Sequence, residues 1–226
     1  MNCLWCMEDR NNNLGWSDFF ILNKQNGFCE SCLSGLQQLS GKRCSLCSRM
    51  TEFEQCSDCE WWRNQFKSDP LEYNYSVFQY NSFIQEIIAK WKYRGDYVLG
   101  EVFRPYVYAA FIEKFTTQKK NLIAVPIPLS EERITERGFN QAEMLAGFLP
   151  IKQELLLQRV DGEKQSKKSR KDRITTKNPF SLEKMVKNPV LLVDDIYTTG
   201  TTLRHAARLL IESGCPEVYA LTLIRG

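Results

Sequence analysis

The sequence predicts an α/β fold, a mainly parallel sheet flanked by helices, preceded by a small Cys-rich module. Three observations point there. Eight of the nine cysteines fall between Cys3 and Cys59, in four C-x-x-C pairs. Beyond residue 73, short apolar runs alternate with stretches of helical periodicity, as in a sheet whose strands are joined by helices. Residues 190–202 place an apolar strand, two adjacent carboxylates, a threonine-rich turn and a helix in unbroken order.

At 226 residues, with 43% hydrophobic and 25% charged side chains, the chain has the composition of a folded globular protein of one or two domains. No apolar run reaches the roughly 18 residues of a membrane span. The start carries Glu8 and Asp9 and no apolar core, so no secretory signal is expected. The expected compartment is therefore a reducing cytosol, where structural disulfides are rare and clustered cysteines favour metal.

The module is assigned to residues 1–62. Its middle has little periodicity beyond a short apolar run at 19–22, read as one strand. So small a segment cannot bury enough surface to fold unaided. Each C-x-x-C turn presents two thiolates on one side, and two turns complete a tetrahedral zinc shell. Cys3, Cys6, Cys29, Cys32, Cys44, Cys47, Cys56 and Cys59 are thus the candidate ligands of one or two structural zinc ions. Sequential pairing of the four turns is the simplest arrangement, and a cross-braced one is compatible with the spacing. His205 is the sole histidine and lies far along the chain, so these sites are all-thiolate, closed to water and not catalytic. Five basic against seven acidic residues in 1–59 argue against this module as the main nucleic-acid surface.

The second domain is assigned to residues 73–226. Residues 60–73 read as a connector. Residues 74–80 alternate like a strand, and Ser82 caps a helix carrying Phe83, Ile84, Ile87, Ile88 and Trp91. A second helical stretch covers 98–115. Residues 121–127 form a buried strand closed by Pro126 and Pro128; 140–148 read as a helix and 154–158 as a short strand. A strand at 190–193, a helix at 201–213 and a strand at 217–223 complete the chain.

Asp194 and Asp195 stand at the C-terminal end of an apolar strand, the edge where open parallel sheets hold ligands. The turn after them suits a phosphate monoester. Backbone N–H groups and the hydroxyls of Thr198, Thr199, Thr201 and Thr202 can surround its oxygens, Gly200 admits close approach, and the helix N-terminus adds a favourable field. The carboxylates would accept hydrogen bonds from neighbouring ribose hydroxyls or help hold Mg²⁺.

This segment resembles the PRPP-binding motif of type I phosphoribosyltransferases. The whole chain resembles the ComF family of competence proteins, in which a zinc module precedes a phosphoribosyltransferase-like domain. The likeness extends to Lys92-Tyr93-Arg94-Gly95-Asp96, to Val125-Pro126-Ile127-Pro128, to Arg133 with Arg137-Gly138-Phe139-Asn140-Gln141, and to Arg159 with Gln165, Ser166 and Arg173. The resemblance implies that Asp194 and Asp195 face the ribose hydroxyls of PRPP, with Mg²⁺. It implies that Thr198, Thr199, Gly200, Thr201 and Thr202 bind the 5′-phosphate, with Arg133, Arg137 and Lys92 as candidates on the pyrophosphate side. One position departs from the purine-salvage enzymes: their aspartate general base is replaced by Thr198, which is no base near neutral pH.

Residues 164–177 carry seven basic side chains and one acid. Lys164, Lys167, Lys168, Arg170, Lys171 and Arg173 would track a nucleic-acid backbone or, as the resemblance implies, form a lid over pyrophosphate. Eight thiolates and two Zn²⁺ shift the formal charge from +3 to about −1, so attraction to DNA must come from such local patches. The family resemblance implies a role in natural transformation: handling of single-stranded DNA on the cytoplasmic side, at the inner membrane face through partners such as a competence helicase. An active phosphoribosyltransferase of unknown acceptor and a non-catalytic zinc-ribbon scaffold with a vestigial pocket are the alternatives. His205 reads as a packed or surface imidazole and Cys215 as an unliganded thiol.

Overall fold

The computed structural model describes residues 2–9, 27–65, 68–93, 96–115, 121–160, 178–182 and 184–226. The strands are β1 (Asn74–Gln79), β2 (Ile123–Pro126), β3 (Leu157–Arg159), β4 (Phe180–Leu182), β5 (Val190–Tyr197) and β6 (Val218–Arg225). The helices are α1 (Glu30–Ser34), α2 (Ser57–Gln65), α3 (Ser82–Tyr93), α4 (Arg104–Phe115), α5 (Glu131–Arg137), α6 (Gln141–Ala146) and α7 (Thr201–Glu212).

One four-stranded sheet has the order β1-β6-β5-β2, and all three pairings are parallel. The central strands are apolar on both faces, which is why β5 and β6 read as continuous hydrophobic runs. Successive side chains point to opposite faces. Leu191 and Val193 therefore enter the core beneath α3 and α4, while Val190 and Leu192 enter the core beneath α7. Ile84, Ile87, Ile88 and Trp91 form the buried stripe of α3; Leu203, Ala206, Ala207 and Leu210 form that of α7. β3 and β4 make a separate antiparallel pair.

The cysteine module closes the β1 edge of the sheet. Leu39 N donates to Val77 O at 2.9 Å, and Gln79 N donates to Gln37 O at 2.9 Å. An unpaired strand edge is a template for aggregation, and this contact covers it. On the opposite edge, Ala124 N donates to Lys152 O and Glu154 N to Ala124 O, both at 2.9 Å.

Several boundaries differ from expectation. The stretch at 98–115 is a 3₁₀ helix, Tyr97–Phe103, followed by α4, which restarts with Pro105 in its first turn, where a missing N–H costs nothing. The strand expected at 154–158 splits: residues 152–154 run beside β2, and the strand proper begins at Leu157. The connector at 60–73 begins inside α2, which seats Trp62 in the interior. α1 and α5 are short, and neither was expected. β5 extends to Tyr197, so both aspartates lie within the strand. The strand read at 19–22 lies outside the described residues.

Candidate functional site

The cysteines form two groups, Cys3/Cys6/Cys29/Cys32 and Cys44/Cys47/Cys56/Cys59, in each of which the Sγ atoms lie within 4.8 Å of one another. Pairing is thus sequential, not cross-braced. All nine cysteines are free of disulfides. Tetrahedral Zn–S bonds place sulfurs roughly 3.8 Å apart; Cys6 and Cys29 Sγ are 3.7 Å apart, and Cys47 and Cys56 Sγ are 3.5 Å apart. Backbone N–H groups support thiolates: Cys29 N lies 3.3 Å from Cys3 Sγ, and Cys56 N lies 3.3 Å from Cys44 Sγ. The donor sets fit two zinc ions.

The two groups are built alike, a repeat not evident from the sequence beyond the paired cysteines. Each begins with a knuckle in which the residue after the second cysteine, Met7 or Ser48, is left-handed (φ 62° and 61°). In each, the N–H of the first cysteine donates forward across the turn, Cys3 N to Glu8 O and Cys44 N to Arg49 O, both at 2.8 Å. The second pair of each group sits at the start of a helix, α1 or α2.

At the C-terminal edge of the sheet lies a cleft of about 270 Å³. Its walls bring together Asp194 and Asp195 from β5, Thr198, Thr199, Thr201 and Thr202 from the turn and α7, Lys92 from α3, and Arg133 and Arg137 from α5. Asp195 is ion-paired with Lys92. Asp194 Oδ1 accepts from Asp195 N at 2.8 Å. Burial and the adjoining Asp195 charge push the Asp194 carboxyl up to about 8.

Gly200 caps α7 with φ 76°, and a Cβ there would run into the Tyr197 hydroxyl and the Arg204 guanidinium. Only glycine holds this turn without strain. Thr199 and Thr201 hydroxyls are hydrogen-bonded at 2.9 Å. Across the cleft, Asn140 caps α6 and donates Nδ2 to Ile127 O at 3.0 Å, fixing the loop after β2. Arg137 Nη1 donates to Gln141 Oε1 at 3.0 Å. Arg137 Nε and Gln141 Nε2 are buried yet have no hydrogen-bond partner among the described residues. Such unspent buried donors are uncommon.

The model of the phosphoribosyl transferase domain family matches residues 134–226. Competence protein ComFC of Bacillus subtilis is 37% identical over 99% of this chain and 94% of its own length. Competence protein ComFC of Streptococcus pneumoniae is 31% identical over the full length of both. The chain belongs to the ComFC family. A more distant relative, DNA utilization protein YhgH of Escherichia coli, is 27% identical over 88% of this chain and 97% of its own. The ComFC-family chain thus joins a zinc-ribbon-like module to a phosphoribosyltransferase-like parallel sheet.

Every described candidate for the phosphorylated ligand lines the ComFC-family cleft except Gly200, which is buried. Lys164, Lys167, Lys168, Arg170, Lys171 and Arg173 lie outside the described residues. His205 was read as a packed or surface imidazole; it lines the cleft one turn into α7, with Arg159 and Pro179. Three further residues around the turn, Asp69, Arg204 and Arg225, had no place in the sequence reading, and Trp62 was placed only within the connector. Trp62 alone carried a signal, as an aromatic three residues after Cys59. Among the described residues, no helix is long and apolar enough to cross a membrane.

Proposed function

We propose that this chain acts in natural transformation, handling single-stranded DNA on the cytoplasmic side with a helicase partner, and that its cleft binds PRPP with Mg²⁺. The names of its relatives, competence proteins and a DNA utilization protein, support the cellular role. One observation carries the ligand reading: the unspent donors of Arg137 and Gln141 share a cleft with the threonine turn and the acidic pair. A phosphorylated ribose fits this division. The 5′-phosphate takes the turn and the α7 N-terminus, the ribose hydroxyls donate to Asp194 and Asp195, and pyrophosphate takes Arg133, Arg137 and Gln141. Mg²⁺ would supply charge neutralisation for the pyrophosphate oxygens. Residues 1–62 serve as the structural zinc domain and 73–226 as the ligand domain.

Calorimetric titration with PRPP tests this directly. Binding that requires Mg²⁺ and is lost in Asp195→Ala is the expected result; no binding by the wild type would sink the ligand reading. Affinity for single-stranded DNA should fall with salt and fall again when Lys167, Lys168, Arg170 and Lys171 are neutralised. Unchanged affinity moves the DNA site elsewhere.

A further inference from the structure

The second cysteine group is not an isolated staple. Its four cysteines share the hydrophobic core beneath α7 with Tyr197, Leu203 and Ala206. Two side chains lead from it to the threonine turn. Trp62, three residues after Cys59, donates Nε1 to Thr199 O at 2.8 Å. Arg225, at the end of β6, donates Nη1 to Tyr197 O at 3.2 Å and to Thr198 O at 3.1 Å, while its Nη2 lies 3.7 Å from Cys47 Sγ. Three consecutive carbonyls, those of residues 197, 198 and 199, are therefore held by these two side chains, that of Tyr197 also accepting from Gly226 N at 2.9 Å.

That pattern has a geometric consequence. In a planar trans peptide the C=O and the following N–H point in opposite directions. Holding those three carbonyls toward Trp62 and Arg225 turns the N–H groups of Thr198, Thr199 and Gly200 away from those side chains, and Thr198 and Thr199 line the cleft. Beneath the turn, Arg204 lies 4.7 Å over the Trp62 ring, donates to the Tyr197 hydroxyl at 2.8 Å and is paired with Asp69 at 2.7 Å. The guanidinium of Arg225 faces a cluster that four thiolates and one Zn²⁺ would make net anionic; on metal loss the freed thiolates take up protons, and Arg225 loses the anionic partner that orients it.

We propose that Trp62 and Arg225 are positioning residues through which the Cys44/Cys47/Cys56/Cys59 centre sets the phosphate-holding shape of the turn, so that metal retention at this centre and phosphate binding in the cleft are linked. The phosphate half of this linkage rests on the function proposed above. Linkage is reciprocal: a ligand that favours the ordered turn slows metal loss, and metal loss weakens the ligand.

Trp62→Phe keeps the ring and deletes the N–H; Arg225→Lys keeps the charge and deletes the fork. Each should weaken ribose 5-phosphate and PRPP about tenfold, the scale of one lost hydrogen bond. Pyrophosphate affinity and a zinc content of two per chain should not change, which a general loss of stability would not produce. In the wild type, ribose 5-phosphate should slow chelator extraction of one zinc, and in Trp62→Phe it should not. Hydrogen exchange at the amides of 198–200, measured without ligand, should quicken in both variants. Wild-type affinity in both variants, or unchanged exchange, overturns the proposal. If the wild type binds neither phosphate ligand, the proposed function and the linkage fall, and exchange alone decides whether the centre positions the turn. Should Arg225→Lys not fold, Trp62→Phe carries each measurement.

Discussion

Lys92, near the end of α3, and Asp195, near the end of β5, form an ion pair whose side chains are only 13% and 14% exposed. The pair ties the helix layer to the sheet at the floor of the cleft. It also offsets one of two adjacent carboxylates that would otherwise repel each other.

Lys92→Met leaves Asp195 unpaired beside Asp194. Breaking a fully buried pair from one side costs about 3–5 kcal/mol; at the cleft wall, where water reaches both side chains, the loss should be smaller, and the variant should unfold at lower urea. Adding Asp195→Asn should recover much of that loss, because the unpaired charge is gone. A double-mutant cycle from urea unfolding at neutral pH measures the coupling; strict additivity would contradict it.

Asp194 gives a pH dependence of defined sign. Its carboxyl is raised to about 8, by burial first and by Asp195 second, whereas an unfolded aspartate titrates near ~3.9. The folded state thus binds this proton more tightly. The resulting stabilisation is full below the unfolded value and is lost as pH rises through about 8. Asp194→Asn removes the dependence. Thermal unfolding should show the variant above wild type in mildly alkaline buffer and level with it near the unfolded aspartate value.

Gly200→Ala should cost about 2–3 kcal/mol, combining a left-handed residue with displacement of buried neighbours. The Tyr197 hydroxyl and Arg204 cannot yield easily, because Asp69 holds Arg204. Denaturant unfolding measures the loss. Phosphate-ligand affinity should fall in the same variant, as the turn is where both effects originate.

The two metal centres should part with zinc at different rates. All four cysteines of the second group are buried, whereas in the first Cys6 is exposed and Cys29 half-buried. Chromogenic chelation should therefore be biphasic, and Cys6→Ser should abolish only the fast phase. A single phase for both ions would contradict the difference in burial.

Much of this was legible in order along the chain. Strands β5 and β6 are apolar on both faces, so their runs stand out without alternation. The stripes of α3 and α7 follow helical spacing closely. The acidic pair and the threonine turn are contiguous, so their chemistry was readable before their placement. Less legible were the short elements: α1 and α5 are too brief to show periodicity, and Pro105 sits where it marks a restart and not an end. His205 gave no sign of its position, because the face of α7 turned to the cleft depends on how that helix packs on the sheet.

By itself the sequence determined the four C-x-x-C turns, the parallel α/β architecture and the order of groups in the threonine turn, because each is carried by neighbours within a few residues. Only the tertiary structure decided that the cysteine turns pair sequentially, that Lys92 meets Asp195, and that Trp62, Asp69 and Arg225 converge behind the turn. These contacts join segments distant in the chain. Their partners are selected by which faces of sheet and helix pack together, and no local pattern encodes that choice.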